Sequence, residues 1–329
     1  MVVPEKISLR EGEGTRSSYE LIRNVFLKRF SNPALNELSD AAAIGDLVFS
    51  CDSFTVDPIF FPSSDIGKLS IYGTVNDLCV SAGEPLYISL AVIVEEGFGR
   101  GDLERIADSI KAAARDSGVT IVTGDFKVVE KGKADKIFIS TSGIGTRVPR
   151  RSSAGSKITH NDSIIVTGPI AEHGISVMLA RKKIFEFKIT SDCQSLRSTL
   201  IPLWKRFSAI RFMRDPTRGG IAASLNEISL STGLGVRIYE EKVPLRKDVN
   251  AACEILGIDP YYLASEGRAL IVVGRNDATT LLRVLRAKNP RAAIIGEIDK
   301  HSNAVTVVTR SGGERILDFS RALNVPRIC

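Results

Sequence analysis

The stretch Met213-Arg214-Asp215-Pro216-Thr217-Arg218-Gly219-Gly220 opens a helix predicted to run to about residue 231. Bare backbone N–H groups and the positive end of the helix dipole make such a start an anion site. Two glycines, Gly219 and Gly220, let a phosphate approach closely, and Arg218 adds charge. It is not a Walker A sequence, and the chain has no GxxxxGK[ST]. Outward from it, strands are predicted at 163–167, 235–240, 269–273, 292–298 and 304–309, with helices at 173–183, 247–256 and 277–288. A broken helix with Pro202 inside spans about 192–207. β-Branched strands separated by helices indicate an α+β or α/β architecture.

The first half alternates in the same way. A helix is read at Tyr19–Phe30, a strand at 47–51 running into Asp52, and a proline-bounded apolar loop at 57–62. Ser64 or Asp65 caps a helix that reaches about Ser81 and carries Asn76-Asp77. A strand at 86–95 precedes an amphipathic helix at 102–117, which Gly118 stops. Strand 119–123 then meets Gly124-Asp125, and a strand at 137–141 follows. The polar, basic stretch 147–161 reads as the domain boundary. Thr74-Val75-Asn76-Asp77-Leu78 is weakly echoed by Ser224-Leu225-Asn226-Glu227-Ile228, which suggests two related units.

The composition bounds the function. A chain of 329 residues suits two domains. No apolar run approaches the roughly 20 residues of a membrane span, and the N-terminus lacks the apolar core of a signal peptide, so a cytoplasmic protein without membrane contact is expected. Five scattered cysteines without a CxxC suggest neither a disulfide framework nor a zinc site, and three histidines without close pairing argue against a histidine-built metal site. The net charge is +6, but the basic residues are dispersed and aromatic residues are few. That pattern is a solvated face and speaks against nucleic acid as a partner.

Five aspartates stand out by position: Asp40, Asp52, Asp77, Asp125 and Asp215. Asp52 and Asp125 are read at the carboxyl ends of strands, where such folds collect their sites. Converging carboxylates repel at low dielectric unless a cation joins them, and magnesium suits oxygen ligands and nucleotide phosphates. Each aspartate taken alone equally reads as a helix cap or a turn residue. Lys127, just past Asp125, can hold phosphate charge, and Glu266 before a strand can act as a base; as isolated residues both also read as surface charges. The C-terminus, Pro326-Arg327-Ile328-Cys329, reads as an extended arm ending in a thiol. A thiol there can be carried into a distant pocket as a swinging carrier, or it is a chance cysteine on a frayed end.

Several segments together carry a resemblance: FFPSSDIGKL (60–69), GTVNDL (73–78), VTGDFKVV (122–129), RDPTRGGIAASLNEI (214–228), CEILGIDP (253–260), ASEG (264–267), IIGEI (294–298) and the terminal PRIC. On these the chain resembles the HypE family of hydrogenase maturation proteins, in the PurM-like, ATP-dependent superfamily. The resemblance runs from about residue 6 to the end. It implies a two-domain α+β fold with a dimerising N-terminal sheet domain, a C-terminal α/β domain and a flexible tail. The division is 1–40 arm and helix, 41–152 ATP-binding and dimerisation domain, 153–313 C-terminal domain, and 314–329 tail. It implies that Asp40, Asp52, Asp77, Asp125 and Asp215 surround Mg2+ and the phosphates of ATP, with Asn76, Gly124, Thr217, Arg218, Gly219 and Gly220 in the same nucleotide site. Lys127 and Glu266 would assist proton removal, and Cys329 would be the carrier.

The implied reaction is ATP-dependent dehydration of a carbamoyl group on Cys329 to a thiocyanate. A carbamoyltransferase, HypF, loads the group, and a HypC–HypD complex receives the cyanide for the iron of a nickel–iron hydrogenase. A homodimer with ATP near its interface is implied as well. The sequence departs from the family pattern at Gly12-Glu13-Gly14-Thr15, Ser39, Ser63, Ser64, Phe126 and Ser265. Phe126 is expected to add bulk beside the phosphate site. Two other readings stand beside this one: a small-molecule enzyme of the same superfamily with an incidental tail, and a non-catalytic maturation scaffold.

Overall fold

The computed structural model describes residues 6–149, 157–184, 186–319 and 325–329. The boundary read at 152/153 lies outside the described residues. The N-terminal helix starts earlier than its apolar spacing predicts. It runs as α1 (Arg16–Leu21), a π-helical stretch (Ile22–Leu27) and α2 (Lys28–Phe30). Its start is fixed by the Ser18 hydroxyl, which accepts from the N–H groups of Gly14 (3.0 Å) and Thr15 (3.3 Å).

The first domain contains β1 (Ala42–Ile44), β2 (Leu47–Phe54), β3 (Phe60–Phe61), β4 (Ser64–Asp65), α3 (Ile66–Val80), β5 (Gly83–Glu95), α4 (Arg100–Ser117), β6 (Thr120–Val129) and β7 (Ile137–Arg147). Five strands form one sheet in the order β1-β2-β7-β5-β6, with only β5 and β6 parallel. The loop read at 57–62 holds β3, which pairs with β4. Asp65 caps α3 as expected, accepting from the N–H groups of Gly67 (2.8 Å) and Lys68 (3.1 Å). Gly118 ends α4 with φ +63°, a conformation glycine adopts without steric cost.

Strands β2 and β6 are longer than expected. β6 continues past Thr123 because Val122, Phe126, Val128 and Val129 are strand formers, and an edge strand leaves the intervening polar side chains in solvent. Asp52 and Asp125 therefore sit within strands, not at their ends. Helices α3 and α4 lie on one face of the sheet. On the other face, Leu47, Phe49, Tyr87, Ile93 and Ile144 are exposed.

The second domain contains β8 (Ser163–Val166), α5 (Glu172–Lys182), α6 (Arg197–Arg206), β9 (Ile210–Arg214), α7 (Gly220–Thr232), β10 (Gly235–Tyr239), α8 (Lys247–Leu256), β11 (Leu270–Val273), α9 (Arg275–Lys288), β12 (Ala293–Asp299), β13 (Val305–Val308) and β14 (Glu314–Ile316). Its seven-stranded sheet runs β14-β13-β10-β12-β8-β11-β9, with β10 and β13 parallel. The helix read from 192 starts only at Arg197, because the Leu196 N–H is taken by the Asn76 side chain (2.8 Å). β14 pairs with β13 through Glu314, so the sheet extends past residue 313, where the tail was expected to begin.

Helix α3 joins the two domains. It packs on β2, β5 and β7 on one side and on α6 and β9 on the other. Nearly every residue from Ile66 to Val80 is buried, the pattern of a helix enclosed all round. Fully buried Trp204 of α6 donates its indole N–H to the Cys79 carbonyl (2.9 Å), fixing α6 against the end of α3. Among the described residues no helix is long and apolar enough to cross a membrane.

Candidate active site

Three carboxylates converge at the buried seam that α3 makes. Asp40 precedes β1, Asp77 lies on α3, and Asp215 follows β9. One oxygen from each falls within 4.8 Å of the others. Asp52 of β2 lies beside Asp77, near enough for the two carboxyls to affect each other. The Ser50 hydroxyl donates to Asp77 Oδ2 (2.7 Å), and Arg214 Nη2 holds Asp40 (3.0 Å) while its Nη1 holds Glu227 (2.9 Å).

The electrostatics are those of an unbalanced cluster. Burial, opposed by Arg214 and reinforced by Glu227 and Asp52, pushes Asp40 up to about 6. Burial first, and the neighbouring carboxylates second, push Asp77 and Asp215 well above the usual carboxylate range. Burial also raises Asp52, against the opposing effects of Asp77 and the nearby Arg218. A carboxyl whose folded value is raised binds its proton more tightly when folded, so stability falls as pH rises through that window. The metal-free protein is therefore expected to lose thermal stability between about pH 4 and 6, the window set by Asp40. Millimolar Mg2+ should restore the Tm at neutral pH, as read by calorimetry.

The glycines of the opening stretch do more packing than phosphate cradling. Gly220 (φ +60°) packs its Cα against the chain at 261–263; a Cβ there would lie 2.6 Å from the carbonyl oxygens of Tyr261 and Leu263. Gly219 (φ +79°) abuts the N-terminal loop, 2.9 Å from the Gly14 oxygen by the same construction. Gly14 (φ +68°) in turn leaves no room for a Cβ against the Arg218 carbonyl (2.8 Å). Arg218 Nη1 donates to the Gly12 carbonyl (3.0 Å). The glycine segment at 12–14 and the one at 219–220 thus meet backbone to backbone. Gly220→Ala combines a left-handed backbone with two short contacts and should cost about 3 kcal/mol or more, read as the shift in urea unfolding.

Within one chain, four of the residues expected at the nucleotide site are engaged elsewhere. Asn76 is fully buried and spends its amide on main chain: Nδ2 donates to Gln194 O (3.0 Å) and Glu266 O (3.1 Å), and Oδ1 accepts from Leu196 N–H. It ties α3 to the Glu266 loop, with both amide protons spent on main-chain carbonyls. Gly124, Asp125 and Lys127 lie on β6, an edge strand three positions from β2 in the sheet. Strands are spaced about 4.8 Å apart, so about 14 Å separates them from Asp52. The paired positions Asp52, Thr141, Leu90 and Gly124 face the helices, whereas Asp125 and Lys127 point from the opposite, uncovered face. There Lys127 Nζ pairs with Asp125 (2.6 Å). The absent Cβ of Gly124 leaves room for the Leu90 carbonyl in the neighbouring strand. Phe126 turns toward α4, with Leu103, Ile106 and Ile110, away from the carboxylates. Thr217 closes the turn through its main chain, its N–H donating to Asp215 O and its carbonyl accepting from Gly220.

Glu266 is buried, and its Oε1 has no hydrogen-bond partner in the structure. Its backbone is fixed on both sides: its N–H donates to Asp192 Oδ1 (3.1 Å) and its carbonyl accepts from Asn76. Burial, then Asp215, Asp192 and Asp52, raise its carboxyl well above the usual range. Ser265, beside it, donates its N–H to Pro216 O (2.9 Å) and accepts from Ala171 N–H (3.0 Å), tying this loop to the Asp215 turn.

The last five residues are extended, as expected, but they are docked. Ile328 is buried and Cys329 half-buried. Thr55 donates its N–H (3.1 Å) and hydroxyl (3.2 Å) to the Cys329 main-chain oxygen. Cys329 lines a cavity of about 440 Å³ together with Gly12, Glu13, Asp52, Arg218 and Gly219. Burial, with Glu266 next in effect, pushes its thiol up to about 12. The receptor for the tail, including Thr55, His173 and Arg181, was not singled out from sequence. His173, one of only three histidines, was weighed solely as a metal ligand.

Comparison with known proteins agrees with this arrangement. The family model for the AIR synthase related protein N-terminal domain matches residues 38–147, and that for the C-terminal domain matches 159–308. The carbamoyl dehydratase HypE of Rhizobium leguminosarum bv. viciae is 43% identical over 98% of this chain and 95% of that one. A crystal structure of a HypE–HypF complex superposes with a TM-score of 0.88 at 43% identity, covering 91% of this chain and 99% of the other. One of the hydrogenase maturation protein HypE in complex with ATP gives 0.84 at 39% identity, covering 98% and 100%.

Proposed function

Because the chain belongs to the HypE family of carbamoyl dehydratases, within the AIR synthase related proteins, we propose that it dehydrates a carbamoyl group on its own Cys329 at the expense of ATP, for hydrogenase maturation. The observation that carries this reading is the docked terminal cysteine, whose side chain shares one cavity with Asp52, Arg218 and Gly219. A thiol pushed up to about 12 is neutral there. It is a poor nucleophile while docked, so loading belongs to the undocked tail and chemistry on a neutral, carbamoylated sulfur to the docked one. HypF is the loading partner, as the HypE–HypF complex suggests, and a HypC–HypD complex is the acceptor.

The balance is Cys329–S–C(O)NH2 + ATP giving Cys329–S–C≡N + ADP + phosphate. The carbamoyl oxygen leaves as phosphate, and two N–H bonds break. ATP supplies the activation that turns this oxygen into a leaving group. The protein's part is position and charge. Arg218 faces the developing negative charge. Glu266 accepts a proton from the carbamoyl nitrogen; its raised affinity for protons, set by burial and by Asp215, makes it a stronger base than an exposed glutamate.

The carboxylate cluster fits magnesium. Asp40, Asp77 and Asp215 offer hard oxygen ligands within 4.8 Å, and among the described residues one arginine, Arg214, is paired with them. Bound there, Mg2+ would neutralise the cluster and hold phosphate oxygens.

Asp125 and Lys127 act in this scheme across a homodimer formed on the uncovered sheet face, which carries them beside exposed Leu47, Phe49, Tyr87, Ile93 and Ile144. An exposed apolar patch of this kind is an interaction surface. If each site takes Lys127 from one subunit and Glu266 from the other, Lys127→Ala and Glu266→Gln dimers are each inactive. Mixing and re-equilibrating the two should recover roughly a quarter of wild-type dehydration, the statistical share of intact sites in a two-fold dimer. No recovery on mixing would place both residues in one subunit's site.

A further inference from the structure

Each of the terminal residues Pro326, Arg327, Ile328 and Cys329 has a main-chain oxygen held by the body of the protein. Arg181 Nη1 donates to Pro326 O (2.9 Å) and Nη2 to Arg327 O (2.8 Å). The Asp57 N–H also donates to Arg327 O (3.1 Å). His173 Nε2 is 2.8 Å from Ile328 O. A carbonyl only accepts, so Nε2 carries the proton, and Nδ1 then accepts from the Ser191 hydroxyl (2.8 Å). Thr55 takes the Cys329 oxygen. Side chains add less: Arg327 sits in a left-handed conformation (φ +57°), donates its Nε to Thr55 O (2.7 Å) and pairs with Asp135.

Among the described residues, Arg181 is the one charged group that reads the tail's backbone. It stands in the last turn of α5, where the helix favours a cation. Its guanidinium also holds Asp57 O through Nε (2.8 Å) and Nη2 (2.6 Å). Its closest carboxylate approach, from Nε to Asp57 Oδ2, is 3.9 Å, and that aspartate is held by Lys136 (3.1 Å). Its donors are therefore spent on carbonyls of two segments: the loop after β2 and the tail. We propose that Arg181 is the positioning residue that latches the tail's main chain, with neutral His173 as the second point of hold, so that the Cys329 thiol stays in the cavity it shares with Asp52 and Arg218. This rests on the carrier reading of Cys329. The latch suits a tail that must leave again, because its carbonyl acceptors exchange readily with water.

The test reads thiol access separately from catalysis. Iodoacetamide is added to the full-length protein, and labelling of the C-terminal peptide is followed by mass spectrometry, normalised to a peptide without cysteine. Arg181→Ala should label at Cys329 at least about tenfold faster than wild type, the effect of losing charge-assisted hydrogen bonds, with Tm unchanged. Arg181→Lys, which keeps the charge but not the fork, should fall between. Arg327→Ala, made on the tail itself, should also speed labelling. On tails carbamoylated beforehand, Arg181→Ala should slow dehydration by the factor that labelling rises, without slowing loading. Wild-type rates of labelling in Arg181→Ala, or faster labelling with unchanged dehydration, would overturn the latch. Faster labelling with no dehydration in wild type would instead overturn the carrier reading and leave the latch standing.

Discussion

Alanine in place of Cys329 abolishes formation of the dehydrated product while leaving the fold and ATP binding in place. The effect is total because the residue carries the substrate, so no other group of the enzyme substitutes for it. The structural cost is small. Cys329 is the final residue and half-buried, and its main-chain oxygen, not its sulfur, makes the bonds to Thr55. Losing one partly buried sulfur costs on the order of 1 kcal/mol or less. A Tm within about 2 °C of wild type, with retained ATP binding by calorimetry and no product, is the expected set. A small-molecule enzyme of the same superfamily would keep its ATP turnover in this variant. A scaffold would show no product even with the cysteine in place.

The second large effect has opposite signs for stability and turnover. Asp215 is buried and Asp77 half-buried, close to each other and to Asp40, and both are held well above the usual carboxylate range by desolvation and mutual repulsion. Ionising them without a cation is costly. Asp77→Asn or Asp215→Asn should therefore raise the Tm of the metal-free protein at pH 8 by several degrees. The same changes should lower ATP-dependent dehydration by about a hundredfold or more, because they remove a charge that positions phosphates. The Mg2+-dependent rise in Tm should vanish with them. Asp77 also accepts from Ser50, and asparagine keeps an acceptor for it, so local geometry is preserved. A variant that loses stability and activity together would mark these residues as structural.

Much of this arrangement was legible in the residues, for local reasons. The cap at Asp65, the apolar run of α3, and the stop at Gly118 each depend on neighbours within a turn or two. Asp40, Asp52, Asp77 and Asp215 stand out in the sequence by position, beside strands and helix starts. Their convergence does not. It is made by α3 packing between two sheets, and no spacing in the chain encodes it. β9 was missed because Ile210-Arg211-Phe212-Met213-Arg214 carries two arginines; one of them, Arg214, pays for its place by pairing with Asp40 and Glu227.

Other features depend on contacts that no local pattern carries. Side chains alternate along a strand, and on β6 Asp125 and Lys127 face away from α3 and α4, so within one chain they do not meet the carboxylates. One step along a helix turns a side chain by about 100°, and Asn76, next to Asp77, faces the second domain. Gly219 and Gly220 pack against backbone from residues 14 and 261–263, and Gly219 also lines the cavity of Cys329. The tail's extended form followed from Pro326, but its receptor is assembled from Thr55, Asp57, His173 and Arg181, residues far apart in sequence.

The decisive measurement is the mass of the C-terminal peptide after incubation with Mg2+, carbamoyl phosphate and a HypF carbamoyltransferase, with and without ATP. A carbamoyl adduct on Cys329 that loses one water only when ATP is present is the predicted result. An adduct that persists unchanged with ATP, or a cysteine that never takes one from a competent partner, would contradict a self-modifying dehydratase.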